Sequence, residues 1–392
     1  MVPHPLVLKA SLLVDGTGAA PVPDAAVWLR DGRVAWTGPA DRLPEAAADA
    51  EVLDAPGATI VPGLVDAHVH LVASAGPDLA ADTAGTASSR TLAAVANARR
   101  QLESGTTLVR DLGAPADEAI AVGRAVEAGT LAGPRVVAAG AAVTMTGGHI
   151  HYLGRIADGA EQMRLAVREN LHMGATCIKV VATGGVLTKG LDPRRPAYTR
   201  PELEALVEEA HRHRLTVAAH AIGEGGVIAA LRAGVDSIEH GMFLDDAAIQ
   251  LFVETGARLV PTFSAPAGIL AGAAPEWIKE RARPAAAAQR ASFAAAIDAG
   301  VRVAAGTDAG TPDNVHGNVA GEAAMMVSAG LDAVSAIRAA TGEAAELLGV
   351  TDRGVLREGA AADVLVVQGD AVADIACLAA PRHVFQDGRQ VV

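Results

Sequence analysis

Six potential metal ligands occur along the chain, and the first two form a His-x-His pair. They are His68, His70, Lys179, His220, His240 and Asp308. The first two close an apolar run, residues 60–70, which contains a Pro-Gly break and is typical of a buried strand. Side chains two apart on a strand point the same way, so both imidazoles of this His-x-His pair can bind one cation. The pattern therefore predicts a metal centre.

A second His-x-His pair, His211 and His213, provides a contrast. It lies in a helical pattern, where residues two apart point about 200° away from each other. Such a pair cannot chelate one metal ion, and we interpret it as part of a solvated helix face. The spacing is informative only where the chain forms a strand.

The segments that must position the ligands repeat one unit from about residue 105 onward. A helical pattern ends in Gly, which accommodates the left-handed turn past a helix end, and an apolar strand follows. The unit recurs at Gly105, Gly174, Gly234, Gly256 and Gly300. Three further strands, residues 60–70, 135–143 and 216–221, bring the predicted number to eight. Eight alternating strand–helix units predict an α/β fold, the (β/α)8 TIM barrel.

On such a barrel the six ligands lie at the C-terminal ends of five strands. Barrel enzymes place their chemistry at these ends. His68 and His70 end the first strand, and the other four ligands end strands four, five, six and eight. One buried histidine alone is more often a satisfied core residue, but six such residues at the correct strand ends predict a common site.

Both ends of the chain lack this alternation of strands and helices. Residues 5–57 and 354–392 contain short apolar strands and turns such as Asp31-Gly32 and Asp387-Gly388. We interpret the two ends as one small composite β-sandwich built from both termini. The predicted domains are residues 1–57 plus 354–392 for the sandwich and residues 58–353 for the barrel.

The composition restricts the class of partner. A formal net charge of −13 argues against nucleic acid and anionic membranes as partners. No apolar run reaches the roughly 18 residues that a membrane span needs, and Met1–Ala10 lacks the features of a signal peptide. Two cysteines do not suggest a disulfide framework. These features predict a cytoplasmic protein that acts on a small molecule, and they leave homo-oligomerisation open.

Motifs around the ligands resemble the metal-dependent amidohydrolase superfamily. They are Val61-Pro-Gly-Leu-Val-Asp-Ala-His-Val-His70, Ile178-Lys179, Ala219-His220-Ala221, Ile238-Glu239-His240-Gly241 and Gly306-Thr307-Asp308. Thr146-Gly-Gly-His149, the run Lys179-Val-Val-Ala-Thr-Gly-Gly185 and Ser237-Ile-Glu-His240-Gly resemble the imidazolonepropionase-like branch, which includes Xaa-Pro and Xaa-Arg dipeptidases. The resemblance covers essentially the whole chain, including the split sandwich.

The resemblance implies a site with two divalent metal ions, usually zinc. The first ion would take His68, His70 and Asp308, and the second His220 and His240. Lys179 would bridge both ions as a carbamate formed with CO2. The chemistry agrees, because a bare ammonium has no lone pair for a metal, whereas a carboxylated lysine offers two oxygens. The alternative for Lys179 is a salt bridge to Asp308.

The resemblance also implies a mechanism. Two cations roughly 3.5–4 Å apart can share a hydroxide that attacks a carbonyl, with Asp308 as general acid/base. His149, in a Gly-rich loop after strand three, and Tyr198, after strand four, are candidates for contacting the oxyanion or a substrate carboxylate. Tyr198 can equally pack beneath its loop. The sequence leaves open the roles of His151, His316, Arg194 and Arg195.

Cations near the expected barrel mouth bear on the substrate. Lys189, Arg194 and Arg195 on an acidic protein suggest a bound anionic group, although they can equally be solvated and paired with acids such as Asp192. We therefore predict hydrolysis of an amide bond in a dipeptide or N-acyl amino acid with a free carboxylate. The alternatives are hydrolysis of a cyclic amide or a lactone, and a non-catalytic barrel.

Two acids beside the ligands are predicted to be structural. Glu239 follows Ile238 on a strand and precedes His240, so its side chain is expected to point away from His240, towards the helices. Asp111 is expected to be a buried polar anchor near the site.

Overall fold

The structure is a computed structural model that describes residues 4–392; the first three residues of the predicted sandwich lie outside the described residues. The chain forms two compact units. One comprises the chain up to Asp66 with Arg100–Leu108 and Gly317–Val392, and the other comprises Ala67–Arg99 and Val109–His316. The domain boundaries placed after residues 57 and 353 remain a prediction.

Residues 4–392 form sixteen strands and twelve α-helices, besides short 3-10 helices. The strands are β1 (Leu6–Leu13), β2 (Val22–Arg30), β3 (Arg33–Pro39), β4 (Glu51–Pro62), β5 (Leu64–Val69), β6 (Thr106–Asp111), β7 (Arg135–Ala138), β8 (Ala142–Thr144), β9 (Gly154–Ile156), β10 (Cys177–Val181), β11 (Thr216–Gly223), β12 (Ser237–Phe243), β13 (Arg258–Val260), β14 (Val364–Gln368), β15 (Pro381–Gln386) and β16 (Arg389–Gln390). The helices are α1 (Leu79–Asp82), α2 (Ala87–Glu103), α3 (Glu118–Glu127), α4 (Ala160–Met173), α5 (Arg200–Arg212), α6 (Glu224–Ala233), α7 (Asp246–Thr255), α8 (Ser264–Ala271), α9 (Glu276–Asp298), α10 (Val319–Ser328), α11 (Ala333–Ala339) and α12 (Gly342–Leu347).

A seven-stranded sheet joins the two ends of the chain. Its order is β16-β15-β14-β4-β1-β2-β3, antiparallel except for the parallel pair of β1 and β4. The two-residue turn Asp31-Gly32 has φ values of 53° and 75°, the conformation that a tight hairpin requires. The C-terminal strand β14 pairs directly with β4, with Val364 opposite Pro62. The predicted small sandwich from both termini is therefore confirmed.

Both faces of this sheet are apolar. Leu8 packs in one cluster with Val27 and Ile60, whereas its neighbour Val7 packs in another with Trp28. The alternation follows from the two-residue period of a strand, which sends successive side chains to opposite faces. The sheet therefore has a core on each side.

Parallel strands form the barrel. One sheet has the order β13-β12-β11-β10-β8-β9 and another the order β5-β6-β7. The Thr176 amide donates to the Ala138 carbonyl, which links β7 to the start of β10. The eighth segment closes the ring, because the Leu259 amide donates to the Arg302 carbonyl and the Ala67 amide donates to the Ala305 carbonyl. The predicted (β/α)8 TIM barrel is confirmed.

Local sequence signals define the helices between these strands. Helix α5 begins with a capping box, in which the Thr199 amide donates to the Glu202 carboxylate at 2.8 Å. Helices α4 and α6 end at Gly174 and Gly234, whose φ values are 104° and 91°. These signals stop each helix where the next strand must begin.

The barrel departs from the predicted strands at three places. The predicted first strand, residues 60–70, is divided at Gly63, so that residues 60–62 belong to β4 and residues 64–69 form β5. The third strand is interrupted at Gly140 (φ 68°) and forms β7 and β8 separately. The eighth segment makes only isolated bridges, Leu259 with Val303 and Val69 with Ala309. Among residues 4–392, no helix has the length and apolarity that crossing a bilayer requires.

Candidate functional site

A cavity of about 600 Å³, including its open mouth, lies at the C-terminal ends of the barrel strands. Polar side chains at its floor are His68, His70, His149, Lys179, His220, His240 and Asp308. Its walls are mainly apolar and come from Leu79, Ile150, Val186, Leu187, Ile222, Met242, Ala265, Pro266, Ile269, Ala282 and Ala285. The structure thus brings together all six predicted ligands and His149.

The first histidine pair converges on Asp308. The Nε2 atoms of His68 and His70 lie 3.4 and 3.3 Å from Asp308 Oδ1. Their other nitrogens are already engaged, since His68 Nδ1 lies 2.9 Å from Glu239 Oε2 and His70 Nδ1 lies 3.1 Å from the Gly113 carbonyl. These partners fix the rings and leave both Nε2 atoms to bind a metal ion.

The second histidine pair comes from neighbouring strands. The rings of His220 on β11 and His240 on β12 have centroids 4.6 Å apart. His240 Nδ1 lies 2.7 Å from Thr262 Oγ1, and His220 Nε2 donates to the Gly184 carbonyl at 2.9 Å. His240 Nε2 and His220 Nδ1 are therefore the nitrogens left for a metal.

Burial keeps most of these imidazoles neutral. Desolvation lowers the pKa of His220 to about 3 and holds the pKa values of His68 and His240 well below the ordinary histidine range. Burial also opposes protonation of His70, but the Asp308 carboxylate outweighs it and raises the pKa of His70. The pKa of Asp308 is lowered by the histidines despite its burial. Neutral imidazoles and an ionised carboxylate are the forms that bind metals.

These donors suit a divalent ion. One ligand atom each from His68, His240 and Asp308 lies within 4.8 Å of the other two, and all three residues are buried. Nitrogen and oxygen donors of this kind suit several divalent metals. The group takes members from both predicted ion sites, so the assignment of histidines to a first and a second ion remains a prediction.

Lys179 lies inside this cluster. Its Nζ is 3.5 Å from His68 Nε2, and burial lowers the pKa of its ammonium to about 8. The structure shows no salt bridge between Lys179 and Asp308, the alternative that the sequence left open. Lys179 therefore lies beside His68 in the cluster, and its bridging role remains a prediction.

Glu239 corrects one prediction. It does not point towards the helices: its Oε2 contacts His68, while its Oε1 accepts from Arg110 at 3.0 Å and from Ser237 at 2.6 Å. His240 has a φ of 76°, which breaks the strand alternation, so neighbouring residues 239 and 240 both serve the cluster. No motif in the sequence indicated this positive φ at His240.

A buried hydrogen-bonded chain, Arg110–Glu239–His68, orients the His68 ring. A carboxylate that accepts from the far nitrogen of a metal-binding histidine fixes its tautomer and its ring orientation. Arg110 donates in turn through Nε to the Ala67 carbonyl at 2.7 Å. Asp111 also supports the site, because its carboxylate accepts from the Leu71 amide at 2.7 Å and from the Gly113 amide at 3.1 Å.

His149 lines the cavity beside the metal-type cluster. Its ring centroid is 4.7 Å from that of His220, and its Nδ1 lies 2.8 Å from Thr188 Oγ1 in the loop after β10. A Cβ atom added to Gly185 would meet His149 Nε2 at 2.2 Å, so only glycine allows this packing. The structure therefore places the His149 ring in the cavity lining, beside His220 and against the loop after β10.

Tyr198 is not brought to the cavity. Its hydroxyl is buried and donates to the Ala157 carbonyl at 3.1 Å, and the residue does not line the walls. Tyr198 therefore packs beneath its loop, which was the alternative that the sequence left open.

The other candidate cations and histidines also lie outside the cavity lining. Arg194 bonds Glu224 at 2.8 Å, and Arg195, with 85% of its side chain exposed, lies 3.9 Å from Asp192. His151 bonds the Gly148 carbonyl at 3.1 Å, and His316 bonds the Ala73 carbonyl at 2.9 Å. The structure thus does not bring these four side chains into the cavity.

The apolar wall of the cavity was not predicted from the sequence. It comes largely from α8, from α9 and from Val186 and Leu187 in the loop after β10. Ala282 and Ala285 are small and one helical turn apart, which leaves space in front of α9. An apolar face on a helix normally signals a core, so nothing in the sequence distinguished this wall.

Known proteins resemble the chain along almost its whole length. The profile of the amidohydrolase family matches residues 59–391. Ochratoxinase from Aspergillus niger is 31% identical over 421 aligned residues, which cover 98% of this chain and 86% of that protein. A Xaa-Pro dipeptidase structure with methionine bound in its active site superposes with a TM-score of 0.91, at 31% identity, over 98% of this chain and 99% of the other. A prolidase complexed with N-methylphosphonate-L-proline superposes with a TM-score of 0.90, at 30% identity, over 99% of each chain. The chain thus belongs to the amidohydrolase family and is a hydrolase of carbon–nitrogen bonds.

Proposed function

We propose that the protein hydrolyses the amide bond of a dipeptide or N-acyl amino acid that carries a free carboxylate and an apolar side chain. The observation that carries the proposal is a single cavity in which buried metal-type donors face an apolar wall. A few convergent polar groups in an apolar cavity are typical of a small-molecule site. The similar dipeptidase and prolidase structures support an amino-acid substrate, since their ligands are methionine and a proline phosphonate.

Divalent metal ions are the cofactor of this proposal, with zinc as the first candidate. The proposed ligands are His68, His70, His220, His240, Asp308 and a carbamate on Lys179. When bound, such ions would polarise the substrate carbonyl and lower the pKa of water to about 7. The carbamate would supply the anion that neutral imidazoles lack, in place of the ammonium that now lies against His68.

Asp308 would transfer the proton, and His149 would stabilise the negative charge that develops on the substrate oxygen. The Asp308 carboxylate would take the proton of the attacking water and return it to the leaving nitrogen. His149 is neutral because burial lowers its pKa. Thr188 Oγ1 lies 2.8 Å from Nδ1, and in the tautomer protonated at Nε2 the ring would donate to the oxygen of the tetrahedral intermediate.

The proposal predicts two divalent ions per chain. Six donors that include a bridging anion should retain both ions through purification without chelators, because their binding free energies are large. Elemental analysis of protein purified with zinc and bicarbonate measures the ratio. A reproducible single equivalent under these conditions would reject the two-ion arrangement.

Blocking the substrate's carboxylate should slow hydrolysis. For metal-replete protein, we expect kcat/KM for an Xaa-Pro dipeptide to exceed that of its prolinamide analogue by roughly ten- to a hundredfold. This factor corresponds to a charge-assisted hydrogen bond of about 1.5–3 kcal/mol. Both substrates share the scissile bond and the ring, so the comparison isolates the carboxylate.

A neutral cyclic amide or lactone is the second candidate substrate. One observation favours it: of the predicted mouth cations, Lys189, Arg194 and Arg195 do not line the cavity, and Arg194 is paired with Glu224. Equal rates for the free and blocked dipeptides would move the preference to this class. The rates at which the same preparation hydrolyses a panel of lactones would then measure this activity directly.

A further inference from the structure

A loop between β10 and α5 forms part of the cavity wall. Its base is closed by backbone hydrogen bonds, because the Gly184 amide donates to the Arg195 carbonyl at 3.1 Å and the Ala197 amide donates to the Ala182 carbonyl at 2.8 Å. Residues 185–191 lie beyond this base. They include Val186 and Leu187, which line the cavity. We call residues 185–191 the wall loop.

The wall loop also holds His149. The hydroxyl of Thr188, at the middle of the loop, lies 2.8 Å from His149 Nδ1. The Gly185 α-carbon faces the same ring, with space for no side chain. A displacement of the wall loop would therefore move His149 and the apolar wall together.

One side chain from outside the loop contacts both of its ends. Arg281 donates through Nη2 to the Gly185 carbonyl at 2.9 Å and also to the Leu191 carbonyl. It lies on α9, one helical turn after Ile278 and next to Ala282 in the chain. Those two residues pack in a hydrophobic cluster against Val186 and Leu187.

Besides these two carbonyls, the guanidinium faces the Trp277 ring, whose centroid lies 6.0 Å from Arg281 Cζ. Among residues 4–392, no carboxylate oxygen lies within 4.0 Å of Arg281, and its buried Nε has no hydrogen-bond partner. Burial lowers the pKa of Arg281, an effect that Asp192 only partly offsets. Desolvating part of a cation costs free energy unless hydrogen bonds or opposite charges compensate for it. For Arg281 the two loop carbonyls supply this compensation.

We propose that Arg281 is a positioning residue of the active site. It holds the two ends of the wall loop against α9, and so fixes Thr188 under His149 and keeps the Val186–Leu187 wall in place. The effect on turnover rests on the proposed amide hydrolysis, whereas the effect on the loop does not.

The test compares Arg281→Met with Arg283→Met on metal-replete protein. Methionine keeps an apolar stem but removes the donors. Arg283 is a matched control on the same helix, since it is exposed and, among residues 4–392, forms an ion pair only with Glu276, at 2.7 Å. We expect amide hydrogen exchange in residues 185–191 to accelerate in Arg281→Met and to stay unchanged in Arg283→Met. Unchanged exchange in Arg281→Met would overturn the proposal whether or not the protein hydrolyses amides.

A double-mutant cycle with Thr188→Val tests the route to His149. Arg281→Met should lower kcat roughly ten- to a hundredfold, since small displacements of a catalytic group have effects of this size. Arg281→Lys, which keeps a donor, should recover part of this loss. In the Thr188→Val background, Arg281→Met should lower kcat only two- to threefold further, because both changes act on His149. Full multiplication of the two single effects would overturn the proposed route through Thr188.

Discussion

Asp308→Asn should lower kcat roughly a thousandfold while leaving the fold intact. The substitution removes the proton acceptor and donor of the proposed reaction, a role that typically contributes factors of about 10²–10⁴. Asn is the appropriate replacement because Asp308 has a φ of 57°, a left-handed conformation that Asn tolerates. The amide oxygen can still face His68 and His70, so part of the metal affinity should remain.

The measurement is kcat with metal content determined on the same sample. Asp313→Asn is the matched control, since Asp313 has the same φ of 57° and accepts from the Ala273 amide outside the cavity lining. We expect the control to retain near-normal turnover. An Asp308→Asn protein with full metal content and kcat within tenfold of the native value would remove Asp308 from the chemistry.

Lys179→Ala should lose at least one metal ion per chain and most of its turnover. The alanine cannot form the carbamate, so the two proposed ions would lose their shared anion and repel each other. The buried strand β10 keeps its parallel pairing with β11 because that pairing uses only backbone groups. The fold should therefore survive, although the lost side chain leaves a cavity that lowers the free energy of unfolding.

Chemical rescue by a small carboxylate distinguishes a metal-bridging role of Lys179 from a purely structural role. Formate or acetate should partly restore metal content and turnover in Lys179→Ala by occupying the space between the ions. Lys189→Ala, which removes an exposed lysine of the wall loop, should leave metal content unchanged. Near-normal kcat in Lys179→Ala without added carboxylate would show that the carbamate assignment is wrong.

Strand periodicity explains how much of the site could be predicted. An apolar strand that ends in His-x-His requires both rings to face one side, and the ends of parallel barrel strands lie on one rim. These two rules are sufficient to bring His68, His70, Lys179, His220 and Asp308 together. They depend only on residue types and on short-range patterns, which the sequence contains directly.

The positions of the groups around the metal-type cluster could not be predicted from short-range sequence patterns. The positive φ of His240 turns residue 240 towards the cluster and leaves Glu239 against His68, the reverse of normal alternation. The hydroxyl of Tyr198 donates to the carbonyl of Ala157, which lies more than forty residues earlier in the chain. The apolar wall and Arg281 come from helices whose faces look like ordinary core. Long-range packing decides each of these placements.

The pairing of β4 with β14 has a consequence for synthesis of the chain. Strand β4 leads into the metal-binding strand, and the hydroxyl of its Thr59 donates to the Gly369 carbonyl, 310 positions later. On the ribosome, β1 can pair with one edge of β4 at once, but the other edge has no partner until β14 has emerged. An unpaired apolar edge is the part of a nascent chain most prone to pair with another chain. The yield of soluble protein should therefore depend on protecting that edge until translation ends.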